Sequence, residues 1–191
     1  MRNVWIRNFH FPLAFILSKF FVRMGYFGVE PNPKRGKADP DDPWGRAFSI
    51  GALPPMKRLW GFIEFISVVP HLLLRCALPR ALGYTVIAER YTIDTVVTVA
   101  YVLQDCSFMD SFTARVLFSL IPKKAIRIYL SASYEEILAR REENAHGRRF
   151  IEFHISAYDQ LSTRLGAHRI PTDMFSIGET FRVIERLLSE G

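Results

Sequence analysis

The sequence predicts an α/β fold with a parallel sheet, because short apolar segments alternate with longer helical segments along the chain. The apolar run at residues 84–88 follows Gly83 and ends in Glu89 and Arg90, which is typical of a buried parallel strand. A second apolar run at residues 125–130 leads into a helical segment. In open α/β sheets, ligands bind at the carboxyl ends of strands, so the acid and base after the first run mark a candidate site.

The other elements follow from local signals, in chain order. The predicted strands lie at residues 4–6, 84–88, 125–130 and 168–171. The predicted helices lie at residues 12–24, 60–78, 94–104, 133–141 and 150–165, with one more helix at the C-terminus. The helix at 60–78 is expected to kink or break near Pro70, and the proline-rich residues 30–58 predict a loop.

Helix boundaries are predicted from capping residues. Asp94 is the predicted N-cap of the helix at 94–104, whose β-branched residues alone would favour a strand. Ser133 with Glu136, and Ser176 with Glu179, form capping boxes. The core-facing side of the terminal helix is predicted to consist of Phe181, Val183, Ile184, Leu187 and Leu188.

Composition limits the class of protein. A chain of 191 residues with 49% hydrophobic residues predicts one globular domain over residues 1–191. The net charge of +6 favours an anionic partner, whether a nucleotide, a nucleic acid or a lipid surface. Cys76 and Cys106 lie far apart and show no metal-ligand spacing, so both are predicted to be buried, reduced thiols of a cytoplasmic protein. No membrane span is predicted.

Together these pieces resemble the thymidylate kinase-like nucleotide kinases, a branch of the P-loop phosphotransferases. The resemblance is carried by Glu89-Arg90-Tyr91 at a strand end, which looks like the family's Asp-Arg-Tyr motif. The strand at 125–130, the helix that follows it and the aromatic helix around residues 150–158 extend it. The opening Trp5-Ile6-Arg7 looks like the second strand of that fold. The implied fold is a three-layer P-loop kinase-like parallel sheet with helices on both faces.

The resemblance implies a transfer of the phosphoryl group from ATP to a nucleoside monophosphate, with Mg²⁺ as cofactor. Arg7 and Arg90 would hold the acceptor phosphate, with Tyr91 and Asp94 beside them. Glu89 would take the place of the family's Asp near the metal and the moving phosphoryl group, as catalytic and metal-binding residue. The implied lid residues are arginines, with catalytic roles for the first two: Arg140, Arg141, Arg148 and Arg149. No nucleic acid and no membrane are implied as partners, and a homodimer is left open.

The sequence departs from the pattern of this family at two places. Glu89 is one methylene longer than the family's Asp, so a metal ion or its waters must sit differently. The family's base-reading Tyr-Gln pair would fall at Thr98 and Val99, whereas Tyr101 and Gln104 follow about one helical turn later as candidate substitutes.

The phosphate-binding loop Gly-x-x-x-x-Gly-Lys-Ser/Thr does not occur in these 191 residues. In the family's strand order 2-3-1-4-5 the strand before this loop is central, so its absence predicts unpaired edges on the strands at 84–88 and 125–130. We therefore expect Met1 to be an internal methionine of an N-terminally truncated chain, inactive as given, whose intact parent is a kinase.

Other interpretations stay open. The chain can be a non-catalytic remnant that holds a nucleotide or a partner protein, as the missing loop suggests. Glu89 and Arg90 can be a structural ion pair at a strand end, and Asp94 only a helix cap. A third class is a membrane-surface protein that uses Phe-rich amphipathic helices and positive charge.

Overall fold

The computed structural model describes residues 2–5, 54–140 and 148–190 of the chain. The strands are β1 (Arg2–Trp5), β2 (Val86–Glu89), β3 (Ile128–Ser131) and β4 (His168–Pro171). The α-helices are α1 (Pro54–Leu72), α2 (Leu78–Ala81), α3 (Thr92–Leu103), α4 (Phe112–Ser119), α5 (Tyr134–Arg140), α6 (Arg148–Arg164) and α7 (Ile177–Glu190). A π-turn, Leu73–Ala77, joins α1 to α2, and a 3₁₀ turn, Cys106–Asp110, precedes α4. The predicted helix at 12–24 and the loop at 30–53 lie outside the described residues.

The described residues divide into two compact units. Unit 1 contains residues 2–5 and 54–121, and unit 2 contains residues 122–140 and 148–190. Since two compact units can belong to one domain, the single domain over residues 1–191 stays a prediction.

Each unit contains one parallel pair of strands, which confirms the α/β class. In unit 1, β1 pairs with β2 in a register that sets Arg2 opposite Val86 and Trp5 opposite Glu89. In unit 2, β3 pairs with β4, from Ile128 opposite His168 to Ser131 opposite Pro171. A single sheet that joins the two pairs is not formed by the described residues.

The expected unpaired edges are present in this part of the chain. Within the described ranges, β2 pairs only with β1, and β3 pairs only with β4. Two apolar strand residues are also exposed, Ile87 at 47% and Leu130 at 52% of their full accessible surface. Parallel strands are normally covered on both faces, so this exposure is unusual for them.

The centre of unit 1 is α3, which confirms the predicted helix at 94–104. Val96, Val97 and Ala100 are fully buried, and Leu103 is nearly so. Burial at three- and four-residue spacing thus overrides the strand propensity of the β-branched residues. Leu117 of α4 completes this core.

The predicted N-cap of α3 is wrong by a few residues. The helix begins at Thr92, its N-cap is Tyr91, and no side chain caps it. Asp94 instead lies in the first turn, where its negative charge interacts favourably with the helix dipole.

Helix α1 contains Pro70 and ends two residues after it at Leu72, which agrees with the predicted kink or break near Pro70. After Leu72 the helical backbone continues through the π-turn, in which the hydrogen bonds span five residues instead of four. Such a local change of hydrogen bonding lets the chain stay helical after a proline. By length and composition, the helical segment Gly61–Ala81 is apolar enough to cross a membrane, and 33% of it is buried within the protein.

We expect Gly61→Ala to lower the free energy of unfolding by about 1–3 kcal/mol, since overpacking a core has this cost. A methyl group on Gly61 would lie 2.5 Å from Cε2 of the buried Phe108 ring, so the ring would have to move. Gly178→Ala in α7 is the control, because nothing lies within 4 Å of its added methyl group. Urea unfolding of both variants tests this, and an unchanged stability of Gly61→Ala would contradict the packing.

Unit 2 is built on α6, which packs against β3. Ile151, Ala157 and Leu161 of α6 are buried, and the rings of Tyr129 and Tyr158 stack with centroids 5.9 Å apart. Burial raises the pKa of Tyr129 to about 12, and the nearby Asp159 carboxylate adds to this effect.

Both predicted capping boxes contain the expected bond to the serine hydroxyl. The Glu136 N–H donates to Ser133 Oγ at 3.3 Å, and the Glu179 N–H donates to Ser176 Oγ at 3.3 Å. Only the second box is reciprocal, since the Ser176 N–H also donates to Glu179 Oε2 at 2.8 Å. The Ser176 hydroxyl donates to the same Glu179 Oε2 at 2.7 Å, and this bond, together with the one from the Ser176 N–H, holds the pKa of Glu179 below its ordinary value. Glu136 uses its carboxylate for Arg140 instead.

Three burial predictions are wrong, the first of which is the buried strand at 84–88, because β2 is exposed at every residue except the half-buried Val86. No residue of α7 is buried, and Phe181 and Leu188 of its predicted core face are more than half exposed. Cys76 is buried as predicted, but Cys106 is exposed; both are free thiols. Helix periodicity shows which residues share a face, but it does not show that another element covers this face.

Candidate functional site

The candidate site lies where β2 passes into α3. Glu89 is the last residue of β2, Arg90 follows with a φ of 53°, and Tyr91 is the N-cap of α3. A positive φ is uncommon for a residue with a side chain, because Cβ then crowds the backbone. Such outliers concentrate at functional sites, where the surrounding structure keeps them in place. The strained residue here is the arginine that the sequence pattern singled out.

The side chains of Glu89 and Arg90 are exposed. Among the residues whose side chains the structure describes, neither one has an ion pair or a side-chain hydrogen bond. The interpretation of a structural ion pair therefore has no support in this part of the chain. The guanidinium of Arg90 is available to a ligand.

The residues after Arg90 are fixed by the protein. The Tyr91 hydroxyl donates to the carbonyl of Leu120 at 3.4 Å, and burial raises the pKa of this half-buried phenol. Thr92 is fully buried, and its hydroxyl has no hydrogen-bond partner among the described residues. The sequence analysis did not single out Thr92, although its position directly after the strand-end motif could have indicated it.

The strand register relates the two predicted phosphate-binding arginines. Because Trp5 lies opposite Glu89 in a parallel pair, β1 and β2 end at the same edge. Arg90 follows β2 by one residue, and Arg7 follows β1 by two residues in the sequence. Arg7 itself lies outside the described residues.

The predicted base-reading residues have structural positions on α3. Tyr101 is 3% exposed and belongs to the core. Gln104 is the C-cap with a φ of 49°, and its Nε2 donates to the carbonyl of Tyr101 at 2.6 Å. Their contact with a base stays a prediction, and burial of Tyr101 gives it no support.

Three of the four predicted lid arginines, Arg140, Arg148 and Arg149, lie among the described residues of unit 2. Arg140 pairs with Glu136 at 2.7 Å, and its Nη atoms donate to Oγ1 and the carbonyl of Thr172 at 2.9 and 2.6 Å. Arg140 thereby ties the end of α5 to the turn after β4. Arg148 pairs with Glu152 at 2.7 Å, and its guanidinium lies 5.2 Å from the ring centroid of Tyr134.

The remaining two predicted lid arginines are Arg149 and Arg141. Arg149 is exposed, and Arg141 lies outside the described residues. Since Glu89 and Arg90 belong to unit 1, the structure places the two predicted groups in different units.

Unit 2 contains a cleft that sequence reasoning missed. Its volume is about 750 Å³, and it opens at the carboxyl ends of β3 and β4, between Ser131, Pro171 and the α6 residues Ile155 and Asp159. Arg169 lines it, with Nη2 3.3 Å from Asp159 Oδ1 and Nε donating to Ser131 Oγ at 3.0 Å. The predicted strands at 125–130 and 168–171 could have indicated this cleft, because ligands bind at the carboxyl ends of parallel strands.

In the described part of the chain, no group of three or more His, Cys, Asp or Glu residues is arranged to hold a metal ion. Mg²⁺ in phosphate-transfer sites needs only one or two carboxylates, with the remaining ligands from phosphates and water. Glu89 fits this role only together with a bound nucleotide.

Comparison with protein-family models, curated proteins and solved structures found no match to this chain.

Proposed function

We propose that Glu89-Arg90-Tyr91 binds the phosphate of a nucleoside monophosphate, as the acceptor side of a thymidylate kinase-like nucleotide kinase. One observation carries this proposal: Arg90 is an exposed arginine in a strained conformation at the carboxyl end of a parallel strand. The strain costs on the order of 1 kcal/mol, and nothing in the fold requires an arginine at that position. A ligand that needs the guanidinium accounts for it.

The chemistry of phosphate recognition fits this position. A guanidinium offers a rigid set of donors that matches two phosphate oxygens at once. The turn that holds Arg90 is anchored on one side by the β1–β2 pair and on the other by Tyr91, through its bond to Leu120. In the proposal, Arg7 joins Arg90 at the same edge of the sheet.

The strand pairing supports the same fold proposal. In the order 2-3-1-4-5, strands 2 and 3 are neighbours, and strands 4 and 5 are neighbours. The observed pairs β1–β2 and β3–β4 match these neighbours, and the exposed Ile87 and Leu130 lie on the strands that would flank the central one. The architecture that we propose is therefore a three-layer P-loop-like sheet in which a central strand lies between β2 and β3.

For phosphoryl transfer, the proposal assigns ATP and Mg²⁺ as donor and cofactor, with Glu89 near the metal. The chain's own contribution is to position and neutralise phosphate charge, which is most of what this reaction needs from a protein. Arg140 and Arg148 are held by Glu136 and Glu152, so their lid role requires a nucleotide to compete with these carboxylates.

A second candidate function is nucleotide binding without transfer. It is favoured by the absence of Gly-x-x-x-x-Gly-Lys-Ser/Thr from the 191 residues. Both candidates share the acceptor site, so they differ only in the donor side.

An assay of ATP consumption separates the two. It uses the 191-residue chain and the chain preceded by any in-frame upstream residues, each with thymidine monophosphate and with the other nucleoside monophosphates. The kinase proposal predicts monophosphate-dependent consumption only for the extended chain. If neither chain turns over any monophosphate that it binds, the binding function is the correct one.

A further inference from the structure

Helix α1 buries polar residues beside Val68 and Leu72, and it leaves large apolar residues exposed. Glu64 is 4% exposed and Ser67 is 1% exposed, so its polar residues face the protein interior. Its outward residues include Phe62 and Ile66, which are about half exposed. A helix on the surface of a water-soluble protein has the opposite arrangement, with polar residues outside.

The outward apolar residues continue along the whole helical segment. We define the outer stripe as Phe62, Ile66, Leu73, Leu74, Leu78 and Leu82, each at least 43% exposed. Phe62, Ile66 and Leu73 repeat on one face of an α-helix, and Leu74, Leu78 and Leu82 repeat at four-residue spacing beyond it. Single exposed leucines are ordinary, but six large apolar residues exposed along one helical segment indicate an interaction surface.

The charges around the outer stripe select the partner. The exposed charged residues between 61 and 84 are Arg75 and Arg80, and Glu64, the only acid in that stretch, is buried. Lys57 and Arg58 precede the stripe in the sequence, and the chain has a net charge of +6. A helical segment with exposed apolar residues, whose own exposed charges are both cations, has the composition of a surface that binds anionic lipid.

Two other occupants fit less well. A second copy of the chain would bring the same arginines to the contact, and this stretch offers no exposed acid to pair with them. A membrane-spanning placement would expose the opposite face of the helix as well, yet Glu64, Ser67, Val68, Leu72 and Cys76 are buried in unit 1. A helix that lies in the membrane plane keeps that packing.

We infer that the outer stripe docks unit 1 on the surface of an anionic membrane, with the helical segment parallel to the membrane plane. The leucines enter the boundary between head groups and acyl chains, and Arg75 and Arg80 contact lipid phosphates. This inference is independent of nucleotide binding at Arg90.

Sedimentation with vesicles tests the inference. The full chain is expected to bind vesicles of phosphatidylcholine and phosphatidylglycerol, mixed at about three to one, and to bind pure phosphatidylcholine at least about tenfold more weakly. Leu74→Glu with Leu78→Glu is expected to reduce binding to the mixed vesicles by about tenfold or more, because it adds repulsion and removes apolar burial. The matched control is Ile177→Glu with Leu188→Glu, which makes the same changes on the exposed side of α7.

Each result of the vesicle experiment either supports or overturns the membrane-docking inference. No binding of the full chain to mixed vesicles overturns the inference, as does an equal loss in the stripe variant and the α7 control. Loss of self-association in the stripe variant, without vesicle binding by the full chain, would assign the stripe to a dimer. Circular dichroism checks the fold, and Leu74→Ser with Leu78→Ser provides a milder variant whose binding must also fall.

Discussion

Replacing Glu64 by glutamine is expected to raise the free energy of unfolding at pH 8 by about 3 kcal/mol. Glu64 is buried in α1, and this burial raises its pKa from 4.5 to about 7. At pH 8 the folded protein therefore contains a buried carboxylate, which costs free energy relative to the unfolded chain in water. The amide of glutamine has nearly the same shape and carries no charge.

The sign of the pH dependence follows from the direction of this pKa shift. The folded state holds the proton of Glu64 more tightly than the unfolded state, so stability from this group is fully present below about pH 4.5. It falls as the pH rises through about 7 and then levels off. Glu64→Gln should thus match the wild type at pH 4 and exceed it increasingly towards pH 8.

Urea unfolding across this pH range, followed by tryptophan fluorescence, provides the measurement. Glu185→Gln is the control, because Glu185 is exposed on α7 and its substitution should leave the pH profile unchanged. A Glu64→Gln profile parallel to that of the wild type would show that Glu64 does not titrate in this range.

Arg90→Gly is expected to change stability and ligand affinity in opposite directions. Glycine adopts a φ of 53° without steric cost, so the variant should gain about 0.5–1 kcal/mol of stability. Loss of the guanidinium removes charge-assisted hydrogen bonds to phosphate, worth about 1.5–3 kcal/mol, so affinity for a nucleoside monophosphate should fall by about 10- to 100-fold. A residue with only a structural role would not produce this pair of effects.

Arg115→Ala is the matched control for Arg90→Gly. Arg115 is an exposed arginine on α4 of the same unit, so its removal causes the same change of net charge away from the strand end. Its nucleotide affinity should equal that of the wild type. Equal losses of affinity in both variants would reduce the role of Arg90 to general electrostatic attraction.

Much of the fold could be predicted from the sequence, because its signals are local. The strand at 168–171 and the serine hydrogen bonds of both capping boxes involve residues close together in the chain. The length of the segment, the spacing of its apolar residues and a capping residue predict the helix around Val96 and Ala100. In contrast, the position of Asp94 depended on where the turn after β2 ends, and no local rule gives this to within two residues.

Exposure could not be predicted in the same way. The apolar faces of α1 and α7 are clear from the sequence, but whether another element covers them is a tertiary property. The same limit applies to Cys106, whose surroundings depend on the turn before α4.

The candidate site likewise has features that the local sequence predicts and features that depend on the tertiary structure. Glu89-Arg90-Tyr91 was found from an apolar run that ends in charges, which is a local pattern. The positive φ of Arg90 and the buried hydroxyl of Thr92 became visible only in three dimensions. The cleft beside Arg169 depends on the pairing of β3 with β4, which lie far apart in the sequence.

Calorimetric titration of the 191-residue chain with thymidine monophosphate, and separately with thymidine, tests the central claim most directly. If Arg90 holds a phosphate at the end of β2, the monophosphate should bind at least about tenfold more tightly than the nucleoside, and Arg90→Gly should remove that difference. Equal affinity for the two compounds, or a preference for the monophosphate that survives in Arg90→Gly, would contradict a phosphate site at Glu89-Arg90-Tyr91.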